Sequence, residues 1–205
     1  MCVAKHDILS AVLIAEIDAA VLIYLSRNFT QQINEVPWLA MAIPWSWVYL
    51  PLLAIVGIFF ANFLAKMTPT IWQLAKFLLV GTSNVFVDLG VLGFLQEISP
   101  IFFIAYPAAK FISASCAVAN SFFWNKFWSF EKKDTSRVQR EAIMFLSVAG
   151  IGIFLNSLIA SFIVAEIPPF SGLTSKAWGI FAGFVATMIV FVWDFLGYKL
   201  IVFKK

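Results

Sequence analysis

Six long apolar stretches, separated by short polar or proline-containing segments, make up nearly the whole of this chain. Each stretch has about 18 residues or more, which is the length a helix needs to cross a hydrocarbon core of about 30 Å. The pattern therefore predicts an all-α integral membrane protein with six transmembrane helices. The predicted spans cover residues 8–25, 44–64, 71–95, 101–123, 142–165 and 176–202.

The composition agrees with this class of protein. Hydrophobic residues make up 62% of the 205 residues, charged residues 12%, and the mean hydropathy is +0.93, whereas about a quarter of the residues of a soluble domain are charged. The spans leave no room for a domain that binds nucleotides or nucleic acid. No metal-ligand spacing, catalytic pair or phosphate-binding loop is visible. We therefore expect no enzyme activity, no metal, no cofactor and no nucleic-acid partner.

The basic residues predict the orientation of the chain. A cytoplasmic amino terminus leaves only Arg27 and Lys176 outside, which satisfies the excess of positive charge in cytoplasmic loops. We expect a multi-pass protein of the cell (plasma or inner) membrane with both termini cytoplasmic. The basic residues assigned to the cytoplasmic side are Lys5, Lys66, Lys76, Lys126, Lys132, Lys133, Arg137, Arg140, Lys199, Lys204 and Lys205.

The last four spans are similar to each other in pairs, which predicts a parallel duplication of a two-helix hairpin. The second hairpin then needs a loop about five residues longer than that of the first. The aligned segments are Phe77–Val80 with Phe145–Val148, Asp88 with Asn156, and Lys126–Phe130 with Lys199–Phe203.

Two opposite charges lie inside the third and fourth spans. Asp88 and Lys110 are each eleven residues from Ser99, and a turn near Ser99 brings them to one depth near the bilayer centre. A lone charge there costs at least about 2.5 kcal/mol, so we expect the two to be in contact. Either the pair only holds the hairpin together, or Asp88 orients Lys110 to meet a phosphate or a sugar.

Asparagine side chains extend this polar region toward the cytoplasm. Asn84 lies one helical turn before Asp88 on the same face, where it serves either helix packing or ligand contact. Asn120, Asn125 and Lys126 lie among aromatic residues at the end of the fourth span. That end is either an interfacial anchor or a place where an anionic lipid carrier is bound, with amides serving the sugar hydroxyls.

The first and last spans contain further candidates. Glu16 and Asp18 project about 200° apart on a helix, so we expect one of them to face the other spans. A membrane carboxylate favours proton coupling, although the acids also serve to dock the first span. Gly179 and Gly183 form a GxxxG pair, which permits close helix contact within the chain or in a homodimer.

Two segments resemble the signature segments of the GtrA-like family: Lys76–Gly81 followed by Asn84 and Asp88, and Asn120–Phe130. The resemblance covers residues 71–205 and implies a four-helix membrane domain that moves polyprenyl-phosphate-linked sugars for polysaccharide or cell-wall glycan synthesis. The family usually has arginine at the position of Lys126. Residues 1–70, with two spans, are extra to the family pattern, and we expect them to be separable from it.

Three hypotheses on function follow. The first is translocation of a polyprenyl-phosphate-linked sugar, with that lipid and the membrane lipids as partners. The second is a membrane partner that anchors a glycosyltransferase without transporting anything. The third, a proton-coupled exporter of small molecules, is disfavoured for cationic cargo by a lysine at the membrane centre.

Overall fold

The computed structural model describes residues 3–27, 30–102, 104–170 and 174–204, and at residues 31, 32, 102, 176 and 177 it describes the backbone only. These residues form helices and connecting segments, with no strand among them. The α-helices are α1 Lys5–Ser26, α2 Thr30–Asn34, α3 Pro37–Ala42, α4 Ser46–Leu64, α5 Pro69–Phe102, α6 Tyr106–Trp124, α7 Val138–Glu166 and α8 Ser175–Gly197.

Five helical segments in the described part of the chain are long and apolar enough to cross a membrane. They are Lys5–Ser26, Pro37–Leu64, Pro69–Ile101, Val138–Glu166 and Trp178–Val202. The predicted fourth span is present as α6, but Lys110, Asn120 and three serines make it more polar than the others. The chain is thus an all-helical, multi-pass membrane protein, and large apolar side chains such as Phe60 and Ile153 are exposed on its helices.

Two prolines that were predicted to mark helix boundaries, Pro44 and Pro100, lie within helical segments instead. The second span was predicted to begin at Pro44, whereas α3 begins at Pro37 and continues through a 3₁₀ helix, Ile43–Trp45, into α4. Proline is well tolerated in a first helical turn, which explains both positions. Pro100 does not end the third span, because it lies inside α5. The turn of the first hairpin therefore falls between Phe102 and Tyr106.

The chain divides into two compact units, Met1–Glu131 and Lys132–Lys205. The first contains α1 to α6, and the second contains α7 and α8. The sequence predicted a division near residue 70 instead, with the first two spans outside a four-helix domain. In the structure those spans are grouped with the first hairpin.

Small residues let α1 and α4 pack closely against α5 in the first unit. A Cβ atom added to Gly90 of α5 would lie 2.9 Å from Val21 Cγ1 of α1, so the close approach depends on this glycine. The first two spans thus share a core with α5, and whether they are separable from the family domain stays a prediction. The shared core consists of Ala11, Ile14, Ala15, Ala54, Ile58, Ala61, Ala65, Trp72, Val80 and Trp128.

Each unit ends its last long helix in a short π-helix, Asn125–Ser129 in the first and Tyr198–Val202 in the second. Within the first unit the ring centroids of Phe77 and Phe130 are 6.3 Å apart. Their counterparts in the predicted alignment, Phe145 and Phe203, are 6.2 Å apart within the second. These are local similarities at aligned positions, and the duplication itself stays a prediction.

Candidate functional site

Polar side chains of α5 and α6 meet along the seam of the first hairpin. Asn84 and Asp88 are four residues apart on α5, and Ser113 and Asn120 are seven apart on α6, so each pair lies on one helix face. We call these four side chains, together with Lys110, the polar seam. Its members are hydrogen-bonded to one another across the two helices.

The contact predicted between Asp88 and Lys110 is confirmed. Lys110 Nζ donates to Asp88 Oδ2, and Ser113 Oγ lies 2.7 Å from Asp88 Oδ1. The Ser113 side chain is fully buried, whereas 43% of the Lys110 side chain and 24% of the Asp88 side chain are exposed. The carboxylate is thus held from both sides, while the ammonium group keeps an exposed face.

Asp88 and Lys110 do not lie at the same depth, although the sequence predicted that they would. Because α5 continues past Pro100, Ser113 lies level with Asp88, and Lys110 lies about one helical turn nearer the loop. The long lysine side chain spans this difference and reaches back to the carboxylate. The contact is therefore made across a difference of about one helical turn between the two backbones.

Two asparagines that the sequence placed in different regions are in direct contact. Asn120 Nδ2 donates to Asn84 Oδ1 over 2.8 Å. A carboxamide has two N–H donors and an oxygen that accepts twice, so this bond uses only part of what each side chain offers. The seam thus keeps donors and acceptors that a ligand hydroxyl is able to use.

Asn125 and Lys126 differ from expectation because both are buried, with 1% and 0% of their surface exposed. Asn125 Nδ2 lies 3.2 Å from Ser121 Oγ, and Lys126 Nζ lies 5.5 Å from the centroid of the Phe127 ring. The π-helix Asn125–Ser129 turns both side chains inward. A lysine with no exposed surface is not a headgroup-level anchor, and the role of these two side chains in binding a lipid carrier stays a prediction.

The expectation that one acid of the first span faces the other spans is confirmed for Asp18. Asp18 is buried, with 4% exposed, and its Oδ1 accepts a hydrogen bond of 2.7 Å from Ser83 Oγ of α5. Glu16 is only partly buried. Asp18 therefore docks α1 on α5, which is the structural role considered for these acids.

Sequence reasoning missed a buried ionic network around Lys76. Its Nζ lies 2.6 Å from Asp7 Oδ1 of α1 and 3.0 Å from Glu131 Oε1. Trp128 Nε1 donates to the same Asp7 oxygen over 3.1 Å, and the ammonium group lies 4.9 Å from the centroid of the Trp72 ring. Lys76 has no exposed surface, so these contacts replace its hydration.

The network joins one of the extra spans to the segment that resembles the family. Asp7 and Lys76 are each the charged residue at one end of an apolar stretch, which the sequence shows, but their pairing across 69 positions is not visible in it. Glu131 has a φ of 54°, in the left-handed region that residues other than glycine seldom occupy. The network thus includes a residue whose backbone conformation is uncommon.

Asp194 of α8 is a second residue that was missed. It is an acid inside an apolar span, the same pattern that singled out Glu16 and Asp18. Its Oδ1 is buried and accepts no hydrogen bond from the residues that the structure describes. In the part of the chain described here, no group of three His, Cys, Asp or Glu side chains is placed to hold a metal ion.

The glycine pair predicted for helix contact is not used within the described residues. A Cβ atom added to Gly179 or Gly183 would meet no other atom within 4 Å there. Contact between two copies of the chain stays a prediction.

Comparison with known proteins agrees with the resemblance noted above. The family model described as GtrA/DPMS, transmembrane domain, matches residues 76–203. A curated relative, the "Uncharacterized membrane protein YngA" of Bacillus subtilis (strain 168), is 27% identical over 101 residues, which are 48% of this chain and 66% of the relative. The chain thus spans slightly under two thirds of that protein's length. Since the family match covers more than half of the chain, the protein belongs to the GtrA/DPMS transmembrane-domain family.

Proposed function

We propose that the protein translocates a polyprenyl-phosphate-linked sugar across the cell membrane, for the synthesis or modification of a polysaccharide or cell-wall glycan. The observation that carries this proposal is the polar seam between α5 and α6, where Lys110 is paired with Asp88 and still has an exposed side chain. The family match supports a membrane protein related to such lipids.

The chemistry of the seam suits the headgroup of this lipid. The barrier to moving a headgroup through hydrocarbon is largely the loss of hydration around its charge. An ammonium group in the membrane replaces part of that hydration for a phosphate, and Asp88 keeps the ammonium stabilised while no lipid is present. The amides of Asn84 and Asn120 offer hydrogen bonds to hydroxyl groups.

We extend the proposal to the rest of the molecule. The two hairpins arose by parallel duplication, six helices cross the membrane, and both termini are cytoplasmic. The protein acts as a carrier and not as an enzyme, alone or as a homodimer, beside a membrane glycosyltransferase that uses the translocated lipid. The matching ring pairs in the two units support the duplication.

A second candidate is an anchor that holds a polyprenyl-phosphate glycosyltransferase at the membrane without transporting lipid. The observation that favours it is that two lysines of the first unit are already paired with carboxylates: Lys76 contacts two of them, and Lys110 contacts a third. Ionic contacts of this kind are sufficient to hold helices together and require no ligand.

A transport assay distinguishes the two candidates. Purified protein is reconstituted into vesicles with fluorescent polyprenyl-phosphate lipids that carry glucose, galactose, mannose or N-acetylglucosamine, and the lipid accessible to an external reagent is followed over time. We expect one of these lipids to cross only in vesicles that contain the protein, without any glycosyltransferase present. Absence of crossing for every lipid, together with co-purification of a glycosyltransferase, would favour the anchor.

A further inference from the structure

A groove between α7 and α8 of the second unit has no role in the seam chemistry. Its volume is about 290 Å³, near the lower end of the roughly 300–1,000 Å³ of small-molecule sites. Three polar side chains line it, those of Asn156, Ser157 and Asp194, and its apolar wall includes Ile153 and Val190. A few polar groups on an apolar wall is the usual make-up of a ligand site.

The carboxylate in this groove has an unfilled acceptor. Asp194 Oδ1 has no contact with solvent and accepts no hydrogen bond from the described residues, which costs free energy. The Asp194 side chain as a whole lines the groove. Asn156 is held beside it, since its Nδ2 donates to Thr187 Oγ1 over 3.2 Å, and that hydroxyl donates to the Gly183 carbonyl over 2.8 Å. The polar groups are thus oriented before a ligand arrives.

Asp194 packs closely against α7 because residue 152 is a glycine. A Cβ atom added to Gly152 would lie 2.8 Å from Asp194 Oδ1 and 3.1 Å from Val190 Cγ1. By contrast, a Cβ atom at Gly150, on the same helix, would meet nothing within 4 Å. An alanine at position 152 would therefore displace Asp194, and the same change at position 150 would not.

We propose that this groove binds the sugar ring of the translocated lipid, an inference that rests on the function proposed above. Sugar hydroxyls are donors for the Asp194 carboxylate and both donors and acceptors for Asn156 and Ser157. The C–H surface of the ring fits the apolar wall. A phosphate is disfavoured because none of the described residues that line the groove is basic. A hard cation needs six or more oxygen ligands, for which one carboxylate is too few.

The two glycines provide a matched test in the vesicle assay. With the sugar lipid that the wild-type protein transports, we expect Gly152→Ala to lower the rate about tenfold or more, because a site with misplaced hydrogen-bonding groups rejects its ligand. Gly150→Ala should stay within about twofold of the wild type, since its Cβ enters open space. Equal rates for both variants, at equal amounts of inserted protein, would overturn the inference.

Protection of a cysteine tests binding without relying on activity. Cys2 and Cys116 are replaced by serine, Ser157→Cys places a thiol in the groove, and Ser147→Cys places one on an exposed position of the same helix outside it. We expect the transported sugar lipid to slow maleimide labelling at position 157 and not at position 147. The same polyprenyl phosphate without sugar should protect neither, and equal protection by both lipids would contradict the assignment.

Failure of the inference is distinguishable from failure of the proposed function. If the wild-type protein transports none of the lipids, the function is refuted and the inference falls with it. If transport occurs but position 157 is never protected, the inference alone is wrong. Asp194→Asn adds a third measurement, because loss of the carboxylate should weaken protection of position 157; undiminished protection would contradict the role given to Asp194 in holding the sugar.

Discussion

Replacing Asp7 by asparagine tests whether the first span is tied to the rest of the first unit through a buried charge. Asp7→Asn keeps the shape of the side chain and an oxygen that accepts from Trp128 Nε1, so it removes little except the negative charge. Lys76, with no exposed surface, then loses the carboxylate oxygen that lies 2.6 Å from its Nζ.

The size of the effect follows from what remains around the lysine. Breaking a buried ion pair by removing one partner costs about 3–5 kcal/mol when the other charge is left alone. Here Lys76 keeps Glu131 Oε1 at 3.0 Å and the ring of Trp72 at 4.9 Å. We therefore expect a loss of about 2–3 kcal/mol in the free energy of unfolding, below the full range for an isolated buried charge.

The free energy of unfolding is measured by titrating detergent-solubilised protein with SDS and following tryptophan fluorescence. Glu131→Gln is the matched control: the Glu131 side chain is 47% exposed, and an exposed partner contributes about 1 kcal/mol or less. The double variant Asp7→Asn with Lys76→Met should recover part of the loss, because no unpaired charge then remains in the interior.

Two results would refute this account of the network. One is an Asp7→Asn variant as stable as the wild-type protein. The other is a double variant whose loss of stability equals the sum of the losses in Asp7→Asn and in Lys76→Met alone. Residues that interact must show coupling, so their losses should not add.

Three further predictions concern packing. Gly90→Ala should lower the free energy of unfolding by about 1–3 kcal/mol, because the added methyl group crowds α1. Gly81→Ala in the same helix, where a Cβ meets no atom within 4 Å, should leave that free energy unchanged or raise it. Equal effects of the two changes would contradict the close helix contact. Asn84→Leu or Asn120→Leu should each cost about 0.6–1.7 kcal/mol, and the double variant less than their sum, as measured in the same titration. A chain beginning near Thr70 should be recovered from membranes in much lower yield than the full chain, because Lys76 loses its contact with Asp7 and the shared core loses the side chains of α1 and α4. Equal yields would show that the first two spans are separable.

The apolar pattern was sufficient for the class of fold and for most of the helices. Six spans were predicted from apolar stretches; five of them are long and apolar enough to cross a membrane in the described part of the chain, and the sixth is present as α6. The boundaries at Pro44 and Pro100 were displaced because a proline in a first turn, or near the end of a long helix, does not stop helix formation. Composition alone does not distinguish these positions from true breaks.

Charged residues were predictable where the cost of burial leaves one sensible partner. Asp88 and Lys110 were paired correctly even with the turn misplaced, because a lone charge in hydrocarbon is expensive and a lysine side chain tolerates an error of one helical turn. Lys76 was not recognised, since its partners come from α1 and from the chain after the π-helix, and such pairings depend on tertiary packing. The burial of Lys126 depends on the π-helix, which no pattern in the sequence predicted.

The measurement that tests the proposed transport most directly is lipid crossing by the double variant Asp88→Asn with Lys110→Met, compared with wild-type protein at equal insertion. Removing both charges leaves neither one unpaired, so the hairpin is expected to persist. If the ammonium group carries the phosphate through the membrane, its loss removes at least about 2.5 kcal/mol of stabilisation and lowers the crossing rate about 70-fold or more. A stably inserted double variant that moves the sugar lipid at the wild-type rate would contradict this account, and would leave Asp88 and Lys110 with a purely structural role.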